Sequence, residues 1–170
     1  MNSKAKRVAV CGLLTALALV LSLVERLFPL SALVPVPGIK LGLANVVTLF
    51  ALTRLGKRGA FAILLVRVSL ASVFMGSVTS FLFALFGGVL ALAVMALLLP
   101  FEGRWFSIPG ISIAGAAAHN IGQIGAAMLV LRSVYVAAYL PLLLVSALVM
   151  GLVTGLTCRA TLEHLEKISF

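Results

Sequence analysis

GISIAGAAAHNIGQIGAAMLVL, residues 110–131, is the stretch from which the fold is read. It has the length of a bilayer-spanning helix, which needs about 20 mainly apolar residues. Gly and Ala crowd it, yet His119, Asn120 and Gln123 stand in its middle. Lipid offers such side chains no partner, so they turn toward a bundle interior or an aqueous cavity. His119 and Gln123 are four apart and share one helix face. Ser112 and Gly115 extend that face, and Gly122 and Gly125 thin the helix beside it. Two readings follow: the polar turn lines a small chamber that binds a solute, or it only joins helices by hydrogen bonds.

The rest of the chain agrees with a membrane setting. Its 170 residues are 63% hydrophobic, against about 45–50% for soluble domains. The length suits a single domain over residues 1–170. Six apolar segments are predicted, the first over residues 8–30. A Pro-rich connection, SALVPVPGIK, precedes a short run at 41–53, a broken or tilted helix. The others fall at 60–78, 80–99, 111–131 and 134–158. The fold class is therefore all-α, a polytopic membrane bundle of about six helices. The basic N-terminus resembles a secretory signal, but its apolar run is too long and lacks a cleavage site. It reads as a retained first span.

The net charge of +9 rests on 13 Lys and Arg against four acids, all Glu. These cations fall between apolar runs and do not suggest nucleic acid. With the N-terminus in the cytosol, the inner segments hold Lys4, Lys6, Arg7, Arg54, Lys57, Arg58, Arg104, Arg159 and Lys167. The outer ones hold Lys40 and Arg132. This asymmetry predicts that both termini are cytosolic. Trp105 reads as an interfacial anchor.

Helical rise places the remaining polar residues in two tiers. Glu25, Arg26, Lys40 and Asn45 lie near the outer surface. Arg67, His119, Asn120 and Gln123 lie near the midplane. Arg67 either snorkels to headgroups or holds an anionic solute. Glu25 and Arg26 either anchor the interface, or Glu25 binds a cationic group or braces the outer connection. Pro35, Pro37 and Gly38 form either a rigid turn or a lid that moves at defined points. Gly12 and Ala16, like Gly151 and Gly155, are four apart and suit close helix packing or docking of another membrane subunit. No metal site is expected, since one His with two amides is a poor ligand set. Cys11 and Cys158 form no CxxC pattern and read as small apolar fillers. No cofactor is expected. No Asp exists to complete a hydrolytic triad.

Two blocks carry a resemblance: VPGIKLGLANVVTLFAL at 36–52 and GISIAGAAAHNIGQ at 110–123. With the opening LLTALALVLSLVE, they resemble the bacterial family labelled heptaprenyl diphosphate synthase component I, also called Gx transporter. The likeness covers nearly the whole chain. The six-helix plan and the small-residue first helix also look like S components of energy-coupling factor (ECF) transporters, on architecture alone. The ECF likeness implies an importer subunit in the bacterial cytoplasmic membrane. It would capture a vitamin-like, anionic or amphipathic solute through Glu25, Lys40, Asn45, Arg67, His119, Asn120 and Gln123, with Pro35, Pro37 and Gly38 as lid. Gly12 and Ala16 would dock onto a coupling subunit with its ATPases, since no Walker A pattern is present. The synthase label implies an accessory role in isoprenoid-quinone synthesis, or in flavin- or quinone-linked extracellular electron transfer. Prenyl chain-elongating enzymes use aspartate-rich motifs, and this chain has no Asp. The expectation is a non-catalytic subunit, with the importer as the leading reading.

Overall fold

A computed structural model describes residues 3–25, 40–75 and 78–168. Five α-helices account for most of them: α1 (Ser3–Val24), α2 (Asn45–Met75), α3 (Val78–Leu98), α4 (Ile108–Leu131) and α5 (Leu140–Ile168). Short 3-10 turns, Leu99–Phe101 and Val134–Tyr139, lead out of α3 and into α5. No strand occurs among the described residues. The all-α membrane bundle expected from composition is the architecture found. Four helical segments are long and apolar enough to cross a bilayer: Ala5–Val24, Val78–Phe101, Ile108–Leu131 and Val134–Lys167.

The broken helix is α2. Gly56 has φ 75° and ψ −179° in its interior, a conformation that only glycine adopts without strain. Two limbs result, 45–55 and 57–75. With them the described residues hold six α-helical segments in five continuous elements. The short run at 41–53 is not isolated: it starts at Asn45, continues to the break and resumes at once. Arg54, Lys57 and Arg58 flank that break, and Arg67 interrupts the second limb. These charges separate α2 from the four plainly apolar spans.

Local chemistry sets the other boundaries. Ser107 caps α4: its Oγ accepts the Gly110 N–H at 3.2 Å, with Pro109 in the first turn. At the far end Arg132 adopts a left-handed conformation, and its N–H bonds to the Met128 carbonyl. The helix thus starts at Ile108, ahead of the expected 111. Pro100 lies in the 3-10 turn that follows α3. The sixth segment differs from its sequence reading at both ends. Residues 134–139 are a 3-10 turn, and α5 runs on to Ile168. Its extension is polar and exposed, with Arg159 Nε donating to Glu163 Oε1 at 2.6 Å.

Helix α4 is the centre of the bundle, packed between α3 and α5. Small residues let the backbones approach. A methyl group at Gly122 would lie 2.7 Å from the Phe86 carbonyl oxygen and 2.8 Å from Gly87 Cα. One at Gly151 would lie 2.6 Å from Ile113 Cα, and one at Gly155 2.5 Å from Pro109 Cα. By contrast α1 packs mainly on α2 and buries one narrow stripe, Leu14, Ala18 and Ser22, that leads to Glu25. Leu13, Leu17 and Val20 face outward, as a lipid-facing surface requires.

Candidate functional site

Most of the buried polar residues, though not the Ser112–Thr154 pair, gather where α1 ends and α2 begins. The α1 stripe delivers Ser22 and Glu25 to the interior, both buried. Ser22 Oγ donates to the Ala18 carbonyl at 2.9 Å. It accepts Arg67 Nη1 at 3.2 Å from the second limb of α2. A Glu25 carboxylate oxygen accepts the N–H of Gly42. Gly42 has φ 85°, so glycine is needed to turn that N–H toward the carboxylate.

From the other side α4 presents its polar turn. Gln123 is fully buried. Its Oε1 accepts the backbone N–H of Lys40 at 2.8 Å, and its Nε2 donates to the Lys40 carbonyl at 2.8 Å. Asn120 Nδ2 donates to the Leu143 carbonyl of α5 at 2.6 Å. A longer contact of 3.4 Å joins Gln123 Nε2 to Asn120 Oδ1. Lys40 and Gln123, assigned to different tiers from the sequence, are thereby bonded to each other. Both amides are occupied by protein.

His119 and Asn45 are different. His119 is 2% exposed and Asn45 4%, and neither side chain closes a hydrogen bond. A methyl group on Gly42 would lie 2.8 Å from Asn45 Nδ2 and 3.3 Å from His119 Cδ2, so both side chains crowd that glycine. A methyl group on Gly87 would lie 3.0 Å from His119 Nδ1, and one on Gly88 3.6 Å from Arg67 Nη2. Glu25, Asn45, Arg67 and His119 thus gather around Gly42 and the Gly87–Gly88 pair.

The proposed lid residues Pro35, Pro37 and Gly38, like Arg26, lie outside the described residues. Gly12 and Ala16 line an open apolar groove of about 480 Å³ between α1 and α2, with Leu19, Ile63 and Val66. Nothing lies within 4 Å of a methyl group built on Gly12. A second cavity, about 620 Å³, opens at the turn after α3 and is lined by Arg54, Arg104, Trp105, Arg159 and Glu163. Among the described residues no three His, Cys, Asp or Glu side chains are grouped to hold a metal.

Sequence reasoning left out Ser22, Gly87, Gly88 and Thr154. The signals were present: a lone Ser in an apolar span, and adjacent glycines in FALFGGVL. Thr154 Oγ1 meets Ser112 Oγ at 2.9 Å and ties α4 to α5 on the face that Ser112 was expected to extend.

Comparison with known families settles the affiliation. The family described as heptaprenyl diphosphate synthase component I matches residues 14–161. The chain belongs to that family. No curated protein and no solved structure matches it. The resemblance carried by the blocks at 36–52 and 110–123 is thus the family found, and the ECF likeness gains no support. As a component I, the chain stands as a non-catalytic partner, and its sequence contains no Asp for diphosphate chemistry.

Asn120 offers a measurable check on the helix junction. Asn120→Leu removes the bond to the Leu143 carbonyl, but that carbonyl still accepts Ser146 Oγ at 2.7 Å. The loss should be about 1 kcal/mol, as for one ordinary hydrogen bond. Thermal unfolding in detergent measures it. A loss of several times that size would mean that Asn120 holds more than this junction.

Proposed function

We propose that this chain is the non-catalytic membrane component of an isoprenoid-synthesising system, working beside a separate catalytic prenyl diphosphate synthase subunit. One observation carries the reading: a component I match over residues 14–161 in a chain without a single Asp. The apolar helices supply a lipid-embedded platform for a pathway whose long-chain product is itself lipid-soluble. With both termini in the cytosol, the end bearing Arg54, Arg104, Trp105 and Arg159 faces the compartment where a soluble synthase subunit works. An importer of the ECF kind in which Asn120 and Gln123 form the floor of the solute site needs those two amides free. Asn120 and Gln123 are instead bonded to Leu143 and Lys40, which favours the component reading.

The test is isolation of the tagged chain from its native membrane in mild detergent, together with quinone analysis of a deletion strain. A prenyl synthase subunit with aspartate-rich motifs should co-purify, and deletion should lower or shorten the isoprenoid side chains. Unchanged quinones and no co-purifying synthase would overturn the reading. Loss of solute uptake with normal quinones would favour the importer.

A further inference from the structure

The centre of the bundle leaves a set of polar atoms without partners. They are Arg67 Nε and Nη2, Asn45 Nδ2 and Oδ1, and both ring nitrogens of His119. All three residues are at least nine-tenths buried: Arg67 is 5% exposed, Asn45 4% and His119 2%. Leaving one buried polar group unpaired costs about 1–3 kcal/mol, and more for a charged one. A buried guanidinium with two of its three nitrogens unused is therefore a strong departure from ordinary practice.

The pattern of unused donors is specific. Arg67 uses Nη1 on Ser22 Oγ at 3.2 Å. What remains is the Nε–Nη2 edge, two nearly parallel N–H bonds that grip two oxygens of one carboxylate or phosphate. Glu25 is the buried acid of the same cluster, but it is turned to the Gly42 N–H and leaves that edge empty. Asn45 and His119 meet at Gly42, while His119 and Arg67 lie beside the adjacent Gly87 and Gly88 of α3. The two limbs of α2 and helix α4 thus bring the unused groups together beside the glycine pair of α3. Together they offer the guanidinium edge, an amide N–H₂ and an imidazole N–H, while the Glu25 carboxylate of the cluster is turned to Gly42.

We propose that this cluster is a binding site for an oxyanionic group, a carboxylate or phosphate held by the Nε–Nη2 edge of Arg67 and completed by Asn45 and His119. The anion is either a free small solute or the diphosphate head of an isoprenoid. The second source rests on the synthase-component reading; the site itself does not.

The experiment uses the full chain in nanodiscs. Inorganic phosphate, inorganic pyrophosphate, acetate and farnesyl diphosphate are titrated at constant ionic strength, with chloride as control. Thermal unfolding and calorimetric binding are the readouts. At least one oxyanion should raise Tm saturably where chloride does not. Arg67→Lys keeps the charge but loses the fork, and should bind about tenfold more weakly or worse. Asn45→Asp keeps size but adds a like charge, and should abolish binding; it serves if the lysine variant does not fold. Farnesyl diphosphate binding far above pyrophosphate assigns an isoprenoid head, and equal binding assigns a free anion. No saturable effect of any oxyanion, or unchanged affinity in a folded variant, overturns the site. Co-purification of a synthase subunit is independent of either result, so the two proposals fail separately.

Discussion

Gln123→Leu should cost the bundle about 2–4 kcal/mol, through loss of two hydrogen bonds and isolation of two backbone groups. Gln123 links the polar turn of α4 to the Lys40 backbone twice: 2.8 Å to the N–H and 2.8 Å to the carbonyl. Leucine fills similar volume, so cavity formation contributes little. What remains is the N–H and the carbonyl of Lys40, on two successive peptide units, each without its bond to Gln123. Each such group costs about 1–3 kcal/mol when buried; Lys40 is half-buried, so some of that is recovered. Thermal unfolding in detergent, with Asn120→Leu alongside, should rank Gln123→Leu as clearly the more damaging. Equal Tm values for Gln123→Leu and the parent would show that the Lys40 segment is held elsewhere. The readout also separates two roles. A ligand-contacting glutamine would shift affinity and leave the empty protein's stability unchanged.

That distinction shows where sequence reasoning reaches and where it stops. The polar turn of α4 was visible because hydrogen-bonding side chains inside an apolar run must face inward. Its partner was not, because Lys40 lies 83 residues away and no local period points to it. Arg67 was legible as a charge within a span, open between snorkelling and an inward role, whereas its partner Ser22, 45 residues distant, was not. Helix boundaries followed the punctuation that the chain supplies: Ser107 and Pro109 at the start of α4, Pro100 after α3. Gly56 gave a weaker signal. RLGKRG reads as a charged loop between spans, yet the backbone remains helical on both sides and only the glycine itself departs. Resemblance to component I came from the blocks at 36–52 and 110–123, and the family match covers both. The importer reading came from architecture alone, and architecture does not carry function.

The two small-residue pairs had the same appearance in sequence and occupy opposite environments, which leads to the second large effect. Gly151→Leu and Gly155→Leu should each cost about 3 kcal/mol or more. The first carbon added at Gly151 would lie 2.6 Å from Ile113 Cα, and at Gly155 2.5 Å from Pro109 Cα. Both obstacles are backbone atoms of α4, so no rotamer change makes room and the helices must separate. Separation would also stretch the 2.9 Å bond between Ser112 and Thr154, which lies between these glycines. Gly12→Leu should do the reverse. No atom lies within 4 Å of the added carbon, and replacing a helical glycine gains up to about 1 kcal/mol. Chemical denaturation of the three variants in one detergent should therefore give two large losses and one neutral or positive change. A Gly12→Leu variant that unfolds like the other two would mean that the groove beside α1 is closed in the folded protein. If it stays folded but no longer co-purifies a membrane partner, the groove is where that partner sits, because the leucine fills it without disturbing the bundle.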